Sequence, residues 1–204
     1  VATALPRLPL RIILDVGANT GQSALAFLDW FDAAEVHCFE PVPQTFHELA
    51  ARFGHEPRVR CSALAMSSRS GTGSMQFDSQ SVLASLVQQP QEPLPNHVLV
   101  NLDTIDAYCR REGIQEINLL KIDTEGHDLE VLRGSALLLK EQRIDLVQVE
   151  AGMHPGNQVH VPFRVLQDYL EGHGYLLFAI YEQCPEWTRG EPHLRRTNPV
   201  FVSS

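Results

Sequence analysis

The sequence predicts an α/β fold: a mostly parallel sheet with helices on both faces, making three layers. Three observations lead there. Short apolar runs alternate with helical patterns along the chain. The first run, RIILDVGANTG at residues 11–21, passes through a glycine-bearing turn straight into a helix. No internal repeat or linker divides the 204 residues, so residues 1–204 are read as one domain. Such alternation gives parallel strands joined by right-handed crossovers. The turn after the first strand then lies at the carboxyl edge of the sheet, where these folds bind small ligands.

Taken in order, Ile12, Ile13, Leu14 and Val16 form a buried strand. Ala24, Phe27, Leu28 and Phe31 recur at helical spacing. EVHCFEP is a second strand, stopped by Pro41. Residues 43–53 make a helix with Phe46, Leu49, Ala50 and Phe53 on one face, and VRCSALAM, from Val59, is a third strand. Residues 67–96 break the rhythm, being rich in Ser, Gln, Gly and Pro with strand-like pieces around 74–77 and 82–87. They predict either a surface hairpin and loop or a lid that walls the substrate, because long excursions in compact domains often bind ligands. Alternation resumes with a strand-like run at 98–102, and Asp103 or Thr104 caps a helix through Arg111. Ile117–Ile122 is a strand, Leu129, Leu132, Ala136 and Leu139 form one helical stripe, and Ile144–Val149 is another strand. Pro162 opens a helix running to about Gly172. Residues 175–181 and 199–202 supply the last strands.

Hydrophobic residues make up 44% and charged residues 20%, as in a globular domain and too apolar for disorder. The net charge of −9 argues against a general nucleic-acid surface, so no nucleic-acid partner is expected. Cys38, Cys61, Cys109 and Cys184 match no zinc or CxxC pattern. They read as buried thiols rather than disulfides, which suggests a reducing, cytoplasmic compartment. Nothing resembles a membrane span or signal peptide, the opening VATALPRLPL being short and broken by prolines. The first residue is Val rather than Met, as in a processed chain or a piece of a longer one.

As a nicotinamide-cofactor site the first turn fails. A GxGxxG begun at Gly17 puts Asn19 and Gln22 where the second and third glycines belong. What remains, DVGANTG, offers a carboxylate, an amide and two close-approach glycines, and suits a ligand without pyrophosphate. Glu40 ends the second strand, where an acid accepts hydrogen bonds from both ribose hydroxyls. A nucleoside is therefore expected; the plainer role is an exposed strand-end acid. KIDTEGHD, residues 121–128, is unusual chemistry for a strand end. Lys121 and Asp123 share one face, and the acids that follow gain from the dipole of the next helix. Taken alone, the segment is equally an acidic helix start with a salt bridge.

DVGANTG followed by CFEP and LLKIDTEGHDLEVLRG resembles the FkbM family of S-adenosylmethionine-dependent methyltransferases, over most of the chain from about Ile12 to Tyr181. DVGANTG alone is common to many methyltransferases; the combination is much narrower. The resemblance implies the class I methyltransferase (Rossmann-like) sheet, seven strands with the last antiparallel. It implies S-adenosylmethionine as methyl donor, S-adenosylhomocysteine as product, and a small-molecule or glycan acceptor: a hydroxyl of a sugar, a polyketide or another metabolite. It places Asp15, Gly17, Asn19 and Gly21 around the methionine part and Glu40 on the ribose. Residues 62–64, Ala63 and Leu64 among them, border the adenine. Asp123 sits beside the methionine amino group or the methyl-transfer region. Asp128 stands where relatives often carry Glu and receives no catalytic role.

A hydroxyl acceptor must lose its proton during attack, and a general base contributes typically about 10²–10⁴-fold. Asp123, His127, Glu150 and His154 are the candidates, the histidines because imidazole titrates near neutrality. Glu150 ends the fifth strand and His154 follows in the EAGMHPGNQ loop. The plainer roles are a loop hydrogen bond for His154 and a helix cap or salt bridge for His127. The same groups could hold a divalent metal that polarises the hydroxyl, but their spacing is not diagnostic and no metal ligand is assigned. Trp187 could stack on a sugar or anchor a loop. Arg195 and Arg196 could bind an anionic acceptor or form a solvated pair, and Gln80, Ser81 and Ser85 could bind a polyol or be ordinary loop residues. Two other readings stay open: an NAD(P)-dependent oxidoreductase with a degenerate fingerprint, and a non-catalytic cofactor-binding scaffold.

Overall fold

The structure, a computed structural model, describes residues 10–78, 81–87, 97–185 and 193–204. Its elements in chain order are β1 (Ile12–Val16), α1 (Gln22–Trp30), β2 (Glu35–Phe39), α2 (Pro43–Phe53), β3 (Val59–Ser62), β4 (Ala65–Met66), β5 (Gly71–Asp78) and β6 (Ser81–Val87). Then come β7 (His97–Asp103), α3 (Ile105–Glu112), β8 (Ile117–Ile122), α4 (Asp128–Arg133), α5 (Ala136–Lys140), β9 (Ile144–Val149), β10 (Ala151–Gly152), α6 (Phe163–Glu171), β11 (Tyr175–Cys184) and β12 (Arg196–Ser203).

The main sheet runs β10-β12-β9-β8-β1-β2-β3, with β11 on the far side of β12. Strands β3, β2, β1, β8 and β9 are mutually parallel, and β12 lies antiparallel to both β9 and β11. The expected seven strands with an antiparallel last one are therefore present, joined by the two-residue β10. Side-chain alternation along β1 defines the three layers. Leu14 and Val16 enter one core with Tyr108, Leu132 and Leu166; Ile13 enters the other with Ala24, Phe27 and Leu49. Both faces are covered, so the parallel strands read as continuous apolar runs.

Five expectations change in detail. VRCSALAM is not one strand: it breaks at Ala63 and Leu64, and β4 leaves for a second sheet ordered β4-β7-β5-β6. The excursion at 67–96 begins as the β5–β6 hairpin of that sheet, while residues 88–96 lie outside those described. The run at 98–102 pairs antiparallel with β5 and parallel with β4, and takes no place in the main sheet. The single helical stripe at 129–139 is two helices. Between them Gly134 packs so closely that a Cβ there would stand 2.0 Å from the Ser67 carbonyl oxygen. The Asp106 carboxylate then accepts hydrogen bonds from Leu137 and Leu138 N–H at the start of α5, satisfying donors that a restarted helix leaves open.

Pro162 is the N-cap of α6 rather than its first residue, and Thr104 caps α3 through Ala107 N–H at 3.0 Å. All four cysteines are free thiols, Cys38 and Cys109 buried and the other two half-buried. Among the described residues no helix is long and apolar enough to cross a membrane.

Candidate active site

The turn after β1 is folded by its own backbone. Gly17, Asn19 and Gly21 have φ of 78°, 51° and 88°, left-handed values that glycine adopts without strain and asparagine tolerates. Gly17 and Ala18 N–H both donate to the Phe39 carbonyl at 3.0 Å. The glycines also allow contact. A Cβ on Gly17 would fall 1.9 Å from the Asp123 carbonyl oxygen, and one on Gly21 would fall 2.3 Å from the Phe53 ring. The N-terminus of α1 that follows carries no side-chain cap and no acid in its first turn. It thus presents uncompensated N–H groups and the positive end of a helix dipole.

Glu40, one residue beyond β2, is buried rather than exposed. Its Oε2 accepts from Asn19 N–H at 3.1 Å and its Oε1 from Val42 N–H at 2.9 Å. It therefore fastens the glycine turn to the end of β2. Burial raises its pKa, against the effect of those two N–H groups. Each carboxylate oxygen keeps a second lone pair for a ligand. Ala63 and Leu64 lie at the break after β3, where Ser62 carbonyl accepts from Glu40 N–H and Leu64 N–H; Ala63 is exposed and Leu64 half-buried.

Below the turn, Asp15 and Lys121 are opposite one another in the β1–β8 pairing. Lys121 Nζ donates to Asp15 Oδ1 at 3.1 Å and reaches Asp123 Oδ2 at 3.4 Å. Asp15 is fully buried, and its Oδ2 has no hydrogen-bond partner. Burial opposes the lysine charge, but Asp15 and then Asp123 outweigh it and hold the ammonium above its usual range. Asp123 is the member that opens outward, with 39% of its side chain accessible. Burial raises its pKa, Lys121 lowers it, and the nearby Glu150 charge raises it further.

A second charged group stands beside Asp123. His160 Nε2 lies 2.9 Å from Glu150 Oε2 and 3.4 Å from Glu125 Oε2, and Glu150 Oε1 also accepts from Arg196 Nη1. His160 is buried, and Asn157 meets its Nδ1 with Oδ1 at 3.1 Å and Nδ2 at 2.9 Å. Burial works against the imidazolium, but hydrogen bonds and charges of Glu125 and Glu150 raise His160 to about 9. Burial likewise works against Glu150 as an anion, and His160 and then Arg196 overcome it, lowering its pKa. Glu125 has φ 51° and is followed by Gly126 at 99°. A Cβ on Gly126 would stand 2.1 Å from the Val159 carbonyl, so this turn packs directly on the segment that carries His160. Next to it, Asp128 is fully buried, bonded through Oδ2 to Thr124 Oγ1 and Gly126 N–H, and burial pushes it up to about 6.

Asp15, Gly17, Asn19, Gly21, Glu40, Ala63, Leu64 and Asp123 thus converge on the carboxyl edge of β1, β2, β3 and β8. The histidines named from sequence have partners of their own. His127 Nε2 bonds Ser67 Oγ at 3.0 Å, and burial lowers its pKa. His154 stacks on His193, centroids 5.2 Å apart, and its Nδ1 accepts from Gly156 N–H. Arg196 is not a solvated pair with Arg195 but an ion-pair partner of Glu150. Trp187 and Gln80 lie outside the described residues, and the side chains of Ser81 and Ser85 are likewise not described. The sequence reading missed His160, Asn157 and the partnership of Arg196. No motif announces them, because they come from two distant segments. Glu125 was visible as an ionisable residue of KIDTEGHD, but its left-handed backbone was not.

A family model, described as the methyltransferase FkbM domain, matches residues 15–177. The chain belongs to the FkbM methyltransferase family. This FkbM chain is 26% identical over 207 residues to 2-O-methyltransferase NoeI of Sinorhizobium fredii, covering 93% of this chain and 81% of that protein. It is 27% identical over 146 residues to hexuronic acid methyltransferase AglP of Haloferax volcanii, covering 71% of this chain and 58% of that protein. Among solved structures, Aeropyrum pernix fibrillarin with natively bound S-adenosyl-L-methionine aligns at TM-score 0.54 and 10% identity, over 95% of this chain and 66% of that one. That likeness places the FkbM chain in the class I methyltransferase fold. It is an S-adenosylmethionine-dependent methyltransferase, and the oxidoreductase and scaffold readings give way to that.

Proposed function

We propose that this protein transfers the methyl group of S-adenosylmethionine to a hydroxyl oxygen of a sugar or a related small metabolite. The observation that carries the reading is the close packing of the Asp123 backbone carbonyl on the Gly17 turn, which sets the outward-opening residue Asp123 next to that turn and the uncapped start of α1. The names of NoeI and AglP, which specify 2-O-methyl transfer and hexuronic acid, support a carbohydrate acceptor.

The residues fit the donor group by group. The open N–H groups of α1 and the Gly17, Asn19 and Gly21 turn suit a carboxylate. The orphaned Oδ2 of Asp15 supplies negative potential from beneath that suits an ammonium. The remaining lone pairs of Glu40 suit ribose hydroxyls, and Ala63 with Leu64 suits a flat base. When bound, the donor supplies an electrophilic methyl on a sulfonium. The chain's own part is alignment and proton handling. Positioning supplies up to roughly 7–11 kcal/mol of such barriers. Asp123, its pKa raised by burial, accepts the hydroxyl proton, a role worth typically about 10²–10⁴-fold. Glu150 is engaged by His160 and Arg196, so it positions rather than acts as a free base. His127 is engaged by Ser67 and His154 by Gly156 N–H and the His193 ring, and neither is assigned the proton.

Two measurements test this. Calorimetric titration with S-adenosylmethionine and S-adenosylhomocysteine is expected to show binding of both; well-folded protein that binds neither sinks the reading. Labelled-methyl transfer to a panel of neutral glycans and hexuronates is expected to give an alkali-stable ether. An alkali-labile ester would instead mark a carboxylate acceptor.

A further inference from the structure

We propose that Glu125, Glu150 and His160 form a binding site for one divalent cation of intermediate hardness, Mn²⁺ being the best match. Three separate segments bring these ligands together: the turn after β8, the end of β9, and the residue three before α6. Their ligand atoms all lie within 4.8 Å of one another. Two ligands about 2.1 Å from one ion at right angles stand about 3.0 Å apart. The His160 Nε2 separations of 2.9 Å to Glu150 and 3.4 Å to Glu125 bracket that spacing. Two carboxylate oxygens and one imidazole nitrogen suit Mn²⁺, since imidazole favours the later transition metals and carboxylate the harder ions.

The surroundings are those of a held ligand set. Asn157 fixes the far nitrogen of His160, as partners of metal-binding histidines do. Its own Oδ1 accepts Val159 and His160 N–H, and its Nδ2 donates to the Arg195 carbonyl, so its orientation is set by backbone. Arg196 occupies Glu150 Oε1 and leaves Oε2 to face His160. Glu125 is held in a left-handed conformation that is unfavourable for a non-glycine residue, and such strain gathers at functional positions. Glu150 and His160 are buried while Glu125 is about a quarter accessible, so the remaining coordination positions open on the Glu125 side. Asp123 borders the group, adding a third carboxylate to attract a cation.

The site rests on side-chain geometry alone. Its use rests on the methyl-transfer reading: a cation here would hold two adjacent oxygens of a vicinal diol and lower the pKa of the one to be methylated. Mn²⁺ alone is the probe, titrated into the full chain carrying S-adenosylmethionine and followed by the electron paramagnetic resonance of free Mn²⁺. One ion per chain is expected. Glu125→Gln and His160→Gln should each weaken binding at least tenfold, and Asn157→Ala by about 10–100-fold. Calorimetric binding of S-adenosylmethionine to the same samples shows that each variant is folded. Donor-competent wild type that takes up no Mn²⁺ overturns the site, and so do Glu125→Gln and His160→Gln variants that bind Mn²⁺ as wild type does. Neither result touches the methyl-donor reading, which fails only if the donor does not bind.

Discussion

The carboxyl edge of the sheet has two halves built on different principles. The half above β1, β2 and β3 is made by short-range backbone bonds: a glycine turn hung on the Phe39 carbonyl and tied down by Glu40. The half above β8 and β9 is made by charge: Lys121 between Asp15 and Asp123, and His160 and Arg196 around Glu150. Backbone geometry suits a half that receives the same donor in every turnover. A buried ionic group is costly to assemble and strict in geometry, and it suits the half that must orient an acceptor oxygen and its proton.

Lys121 joins the two halves, and its loss should have the largest effect. Lys121→Met leaves the fully buried Asp15 without a counter-charge, and breaking a buried pair typically costs about 3–5 kcal/mol. Urea unfolding should show that loss, and Asp15→Asn in the same chain should restore most of it. A Lys121→Met protein as stable as wild type would mean that the pair carries no structural role.

Glu150 tests the charged half alone. Glu150→Gln removes the charge that His160 and Arg196 share, and charge-assisted hydrogen bonds are worth about 1.5–3 kcal/mol. Stability should fall by about 2 kcal/mol while calorimetric affinity for S-adenosylmethionine stays within about threefold. A large loss of donor affinity would erase the division between halves.

Glu40 tests the other half. Glu40→Gln keeps an acceptor oxygen but loses charge, and should weaken donor binding about tenfold, or about 1.4 kcal/mol. Glu40→Ala should do more and should also destabilise the protein, because Asn19 and Val42 N–H lose their acceptor. Unchanged donor affinity in Glu40→Gln would remove the ribose assignment.

The same division explains what could be read from the sequence. β1, the glycine turn, α2, β8 and β9 each carry their signal within a dozen residues, as periodicity, a punctuating glycine or a strand-end acid. DVGANTG and the acid of CFEP therefore point directly to the half proposed to hold the donor. The second sheet was not legible, because β4 pairs with β7, more than thirty residues away. His160 was not legible either. It sits in a loop without periodicity, and its meaning comes from Glu125 and Glu150 on other segments. Glu40 was half legible: its place at the strand end was clear, but its grip on Asn19 depends on a left-handed turn that letters do not display.

The smallest effect expected at neutral pH, and the one with the most diagnostic sign, comes from Asp128 beneath the charged half. It is fully buried, with Oδ1 unpartnered, and burial raises it to about 6 from an ordinary value of 3.8. Between those values the folded protein keeps a proton that the unfolded chain has released. Stability from this group is therefore present at pH 4 and declines as pH rises toward 6, with no further change above. The gap corresponds to at most about 3 kcal/mol across that window. Asp128→Asn keeps one oxygen for Thr124 Oγ1 and Gly126 N–H and cannot ionise. At pH 7 it should lie within about 1 kcal/mol of wild type, because the relief of a buried charge offsets an amide nitrogen without a partner. At pH 4 it should be the less stable of the two. Urea midpoints of both proteins at pH 4.5 and 6.5 give the test, since the other carboxyls cancel in the difference. A difference that does not change with pH would mean that Asp128 ionises in the folded protein as freely as in the unfolded chain, and that the charged half extends no deeper than Asp123.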